Sequence, residues 1–141
     1  RFDVDQFSSI ARAIDLLDLP GRIELVDGVI TRTPPAHLPH VRLVNDLTYA
    51  LRTTLQAVGS DLLVYADAGL AIEQDTVRQP DIMVLRPGES GPYFRPGDVL
   101  LAVEVADSSL ALDLGARKLR FARAGVPFYW VIDVEGERVH L

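Results

Sequence analysis

The sequence predicts a mixed α/β domain, a β-sheet flanked by α-helices, and three observations carry that prediction. Helical and strand periodicities follow one another as helix, hairpin, helix, several strands, helix and two strands, with no internal repeat. At 141 residues the chain is the size of one domain, residues 1–141, long enough to bury about two-thirds of its unfolded surface. Three isolated charges, Asp81, Glu104 and Lys118, interrupt otherwise apolar segments, so the interior should hold a polar centre as well as a core.

The first element is an amphipathic helix over 3–18, in which Phe7, Ile10, Ala11, Ile14 and Leu17 recur at helical spacing before Pro20-Gly21; the core follows from about residue 20 to 141. Apolar runs 22–26 and 29–33 flank Asp27-Gly28, a dipeptide that tolerates the positive φ angles of a two-residue hairpin turn. A long helix runs from Pro39 to about Val58, its face drawn by Val44, Leu47, Leu51 and Leu55, with Gly59 as its stop. Strands are expected at 62–66, 69–74 and 77–85. The prolines and glycines of 86–98 then make a long loop, which flanks the candidate site.

A strand at 98–106 precedes a helix capped by Ser108 or Ser109 and closed by Gly125 and Pro127. The apolar run Phe128 to Val134 reads as a central strand, and Glu135-Gly136 turns it into a last strand at 137–141.

Composition removes several classes of function. There is no cysteine, hence no disulfide, thiolate zinc site or cysteine nucleophile. No apolar run approaches the roughly 18 residues of a membrane span, and no basic-then-apolar signal opens the chain, so a soluble, cytoplasmic protein without a membrane partner is expected. The net charge of −6 opposes non-specific affinity for nucleic acid, although Arg117, Lys118, Arg120 and Arg123 form one local basic patch. Gly-rich phosphate loops, HExxH, GxSxG and paired metal-binding histidines are absent.

Three charges remain to be explained. On a regular helix, advancing about 100° per residue, Lys118 shares its face with Ala111, Leu114, Phe121 and Ala122 and is expected to point at the core. Glu104 lies on the face of Leu100 and Ala102, and Asp81 opens the run Ile82 to Leu85. The 86–98 loop lets these two strands return side by side, bringing both carboxylates together. Hard oxygen donors of this kind favour Mg²⁺, Mn²⁺ or Ca²⁺ over zinc, and Lys118 supplies a positive charge. Adding Glu24 leaves an excess of two negative charges, which one divalent ion cancels. The rival reading is a buried Lys118–Glu104 ion pair that only fixes register, with Glu24 on a solvent face. His40, in phase with Val44, is either a site contact or a structural helix-terminal histidine; Gln79 flanks the site or is a surface residue.

Six segments carry a resemblance: ELVDG at 24–28, PPAHLPH at 34–40, RQPDIMVL at 78–85, AVEVADSS at 102–109, the spacing from Asp113 to Lys118, and ARAGVPFYWVID at 122–133. Together they resemble the Uma-two family of restriction-endonuclease-like proteins, within the PD-(D/E)XK nuclease superfamily. The resemblance implies a restriction-endonuclease-like fold and a Mg²⁺-dependent (or Mn²⁺-dependent) endonuclease that hydrolyses DNA. It makes Asp81 and Glu104 the metal ligands and Lys118 the lysine moved to the next helix, since Ala106 stands where that lysine usually lies. It also makes Glu24 a fourth catalytic member and matches His40 to a family position of open role; with Gln79, which flanks the site by its place before Pro80, His40 is an accessory candidate. A homodimer suits an enzyme that cuts both strands. The alternative is a catalytically silent nuclease-like binding module, which the acidic charge favours.

Overall fold

A computed structural model describes residues 1–18, 21–88, 91–107 and 109–141. Asp3 caps the first helix, α1 (Val4–Leu16), with a reciprocal pair: Gln6 N–H donates to Asp3 Oδ1 at 2.9 Å and Asp3 N–H donates to Gln6 Oε1 at 3.0 Å. α1 buries Val4 and Phe7 against Leu25, Ala71 and Val77, whereas Leu17 lies beyond its end and is exposed. Of the expected Pro20-Gly21 stop, Pro20 lies outside the described residues.

The hairpin forms as the Asp27-Gly28 signal requires. Both residues take positive φ, 50° and 77°, and β1 (Arg22–Val26) pairs antiparallel with β2 (Val29–Thr33). Helix α2 (Leu38–Ala57) has proline in its first turn and Gly59 at φ 70° just past its end. Its Val44, Leu47, Leu51 and Leu55 cover one face of the larger sheet.

Two sheets form where one was expected. β3 (Leu63–Ala66), β6 (Ile82–Leu85), β7 (Val99–Ala106), β8 (Phe128–Asp133) and β9 (Arg138–His140) make a mixed sheet in the order β3-β6-β7-β8-β9. β4 (Leu70–Glu73) and β5 (Thr76–Arg78) join the hairpin in a second sheet, β2-β1-β5-β4. The expected strand 77–85 is therefore divided, and residues 79–81 carry the chain from one sheet to the other. Pro80 has no amide hydrogen to contribute to a ladder, so pairing breaks there. The centre of the larger sheet is β7, paired with β6 on one side and β8 on the other; β8 sits next to the edge, with Phe128 exposed. The fold class is the mixed α/β architecture that the periodicities require.

The core follows from this layering. One face of the larger sheet packs on α2; the other meets β4 and Phe121 through Met83, Leu85, Val99 and Ala102. Among the described residues no helix is long and apolar enough to cross a membrane.

Candidate active site

The crossing between the sheets places the first acid. Ile82 stands opposite Val103 in the β6–β7 ladder, which sets Asp81 beside Glu104 at its end. Asp81 is 2% exposed, and the Val105 N–H donates to its Oδ2 at 2.7 Å. Its Oδ1 lies 3.1 Å from His40 Nε2 and 3.4 Å from Arg22 Nη1. Burial works to raise the Asp81 carboxyl, but His40, the Val105 N–H and Arg22 together outweigh it and hold it below the ordinary carboxylate range. The same hydrogen bond lifts His40 above the usual imidazole value, against its own partial burial. His40 thus contacts Asp81 directly.

Glu104 is 5% exposed, and no donor among the described residues hydrogen-bonds its carboxylate. Burial first, then the charges of Asp81 and Asp113, push its carboxyl well above the ordinary glutamate value. A cation delivered between Asp81 and Glu104 would relieve both the desolvation and the repulsion.

The expected inward Lys118 is corrected: Lys118 is exposed and does not line the cleft. The helical segment is α3 (Leu110–Leu112), a π-turn over Asp113–Arg117, and α4 (Lys118–Arg123), with Gly115 at non-helical angles of φ −101° and ψ −105°. One uninterrupted helical frame therefore does not apply. The inward arc runs through Asp113, Arg117 and Phe121, spaced four apart, and Lys118 falls about 100° from Arg117. Asp113 is 1% exposed, accepting from Ser109 Oγ at 2.7 Å and from Arg117 Nη1 at 2.6 Å. Burial disfavours the Arg117 charge, but its bond to Asp113 more than compensates and raises its pKa. Ser109 precedes α3 as its cap residue, with its hydroxyl on Asp113 rather than on a helix amide. Ser108, the other expected cap, lies outside the described residues.

Glu24 is buried rather than solvent-facing. Its Oε2 accepts from the Gln79 N–H at 2.7 Å and lies 3.8 Å from Arg78 Nε, so it stands behind the cleft without lining it. Burial lowers the pKa of Arg78, with Glu24 and Glu104 opposing that shift and Arg117 adding to it. Gln79 lines the cleft; its Nε2 donates to the Asp67 carbonyl at 2.8 Å, and its own carbonyl accepts from Arg22 Nη1 at 2.9 Å.

These parts surround an open cleft of about 580 Å³ lined by Asp81, Glu104, Arg22, His40, Gln79 and Arg117. Arg22, Arg117 and Asp113 were not among the residues selected from sequence. Asp113 and Arg117 did carry a signal, an acid and a base four apart on a helix. The ring of Tyr129 packs on Phe121, yet its buried hydroxyl has no hydrogen-bond partner among the described residues. Burial, then the charges of Glu104 and Asp113, push that hydroxyl's pKa up.

Among the described residues no group of three His, Cys, Asp or Glu side chains is placed to hold a metal. Two carboxylates facing one cleft nonetheless fit Mg²⁺ or Mn²⁺, because Mg²⁺ commonly binds through one or two carboxylates and keeps several waters or phosphate oxygens. Glu104, with no donor on it among the described residues, has its lone pairs available for that purpose.

Residues 13–141 match the Uma2 family, described as "Putative restriction endonuclease". The fold is similar to a crystal structure described as a "putative nuclease belonging to DUF820" from Anabaena variabilis ATCC 29413. That likeness has a TM-score of 0.74 at 17% identity and covers 99% of this chain and 78% of that one. No curated protein matches the sequence.

Proposed function

The chain belongs to the Uma2 family of restriction-endonuclease-like proteins, and on that premise we propose that its cleft is a metal-assisted endonuclease centre hydrolysing phosphodiester bonds in DNA. The observation that carries this reading is the pairing of Asp81, fixed by the Val105 N–H, with Glu104, buried and without a hydrogen-bond donor among the described residues, on one open cleft. Asp81 and Glu104 would hold Mg²⁺ or Mn²⁺. Such an ion activates a water for attack and neutralises charge on the phosphate.

The other residues divide the remaining work. Arg117 is always protonated, so it cannot take a proton from water; its guanidinium suits a non-bridging phosphate oxygen as charge accumulates there. Arg22 and His40 orient Asp81. Glu24 positions the Gln79 backbone and hence the crossing that carries Asp81. Lys118, exposed on the flank of α4, remains available to the DNA backbone rather than to the reacting phosphate.

The test is nicking of supercoiled plasmid with Mg²⁺, Mn²⁺ or EDTA by wild type, Asp81→Ala and Glu104→Gln. Metal-dependent nicking lost on the order of 10²-fold or more in either variant is expected. Folded wild-type protein that binds Mn²⁺ yet never cleaves would replace this reading with the silent binding module.

A further inference from the structure

A second cleft, of about 320 Å³, opens off the first and shares Gly21, Arg22, Asp67 and Gln79 with it. Nothing in the chemistry above uses it. It lies between α1 and the smaller sheet, walled by the ring of Tyr93 and by Ile14, with the buried Phe7 and Val77 beneath them. The two ring centroids are 6.1 Å apart and tilted by 34°. Tyr93 is laid against bare backbone: a Cβ on Gly69 would come within 2.6 Å of Tyr93 Cδ1, so the glycine lets the ring lie where it does.

The polar part of the wall is balanced. Asp15 and Asp67 match Arg22 and Arg32 in formal charge, which makes this a poor phosphate site and a suitable one for a neutral group with donors and acceptors on its edge. Its volume falls at the small end of the roughly 300–1,000 Å³ range of ligand pockets, enough for a single planar ring system. One aromatic wall, Tyr93 backed by the buried Phe7, a mixed polar edge and lining shared with the phosphodiester-cleaving cleft together describe a nucleobase subsite.

We infer that this second cleft holds one unpaired base of the strand whose phosphate lies against Asp81 and Glu104, an inference that rests on the nuclease reading. A base inside a duplex is stacked and paired, so the substrate class is single-stranded DNA or DNA with a base turned out.

The experiment steps a single abasic residue along short single-stranded oligonucleotides and measures Mn²⁺-dependent cleavage and, by fluorescence anisotropy, binding. Wild type, Tyr93→Leu and Gly69→Ala are compared, with thermal midpoints confirming that each is folded. Losing one stacked base should cost wild type roughly 5- to 150-fold at one position near the cut. Both variants should lose a similar factor on intact oligonucleotides and lose nothing more at that abasic position. A flat abasic scan, additive losses, or duplex cleaved as fast as single strand would overturn the base pocket while leaving the nuclease standing. If no oligonucleotide is cleaved, the nuclease reading fails by itself. Binding that depends on one base would then still support the pocket, and position-independent or absent binding would remove it too.

Discussion

The backbone N–H of Val105 donates to Asp81 Oδ2 at 2.7 Å, tying the aspartate before β6 to the residue that follows Glu104 on β7. The two acids are thereby held at one end of one ladder, whichever way their side chains are charged. This bond is made by main chain, so no substitution at Val105 other than proline removes it, and the carboxylate pair is sensitive chiefly to changes at Asp81 and Glu104 themselves.

Arg117 and Lys118 should behave as opposites. Arg117→Met leaves Asp113 buried without its cation, which should destabilise the protein by about 3–5 kcal/mol, and it should abolish nicking. Adding Asp113→Asn should recover much of the stability and none of the activity. Lys118→Ala, at an exposed position, should stay within about 0.5 kcal/mol of wild type and keep cleavage of short substrates. Urea denaturation beside a nicking assay reads all three variants; a fully active Arg117→Met/Asp113→Asn protein would return the catalytic cation to Lys118.

Glu104 should oppose stability without metal. Its folded-state pKa is raised by burial and by Asp81 and Asp113, so the native state binds the extra proton and stability falls as pH rises from the ordinary glutamate range through the raised value. Glu104→Gln should therefore melt higher than wild type in EDTA at neutral and alkaline pH and show a flatter pH profile. Mg²⁺ should raise the wild-type midpoint and leave the variant's unchanged. A lower midpoint for Glu104→Gln across that range would contradict the unpaired-carboxylate account.

Metal affinity should strengthen with pH. Ion binding at Asp81 and Glu104 competes with the Glu104 proton and with His40 in its charged, Asp81-bound form, both of which persist above their ordinary pH ranges. Each proton released steepens the dependence by up to about tenfold per pH unit. Calorimetric Mn²⁺ titrations between pH 6 and 9 should show this, and His40→Asn should reduce the slope on the neutral side. Affinity that does not vary with pH would argue against ion binding at these carboxylates.

Arg120 fastens the helix that follows Arg117 to the smaller sheet. Its Nη1 donates to Thr76 Oγ1 at 3.0 Å and its Nη2 lies 2.9 Å from Asp27 Oδ1, with Glu73 3.5 Å from Nη1. Asp27 and Glu73 are more than half exposed, so water screens both pairs, and the Thr76 bond carries most of the effect. Arg120→Met should cost about 1–2 kcal/mol in urea denaturation.

Much of the fold was legible because its boundaries are written in turn chemistry. Asp27-Gly28, the Pro39 start and Gly59 stop of α2, and the Gly125 end of α4 are local signals, and local geometry obeyed them. The break at Pro80 was missed: proline inside a strand run argues for an interruption, yet 77–85 reads as one strand because strand-like residues stand on both sides of it. Of the site, Asp81 and Glu104 stand out because a strand interior makes a lone acid conspicuous. Glu24 was hidden in an ordinary alternation, because a single strand's pattern does not reveal Arg78 and Gln79 packed over it. Lys118 attracted attention by standing among small and apolar neighbours, whereas the π-turn and the Asp113–Arg117 pair set the direction of the helix; a fixed angular step sees neither.

The crossing of the chain at residues 79–81 also has a kinetic side. The cleft draws on Arg22, His40, Asp81, Glu104 and Arg117, which are far apart in sequence, and its aspartate is held only once β6 has joined β7 and β5 has joined β1. Closing such distant contacts is slow compared with forming α2 or the Asp27-Gly28 hairpin. A refolding chain should thus regain its helical signal early and its affinity for Mn²⁺ late, making ion binding a clock for the last step of assembly.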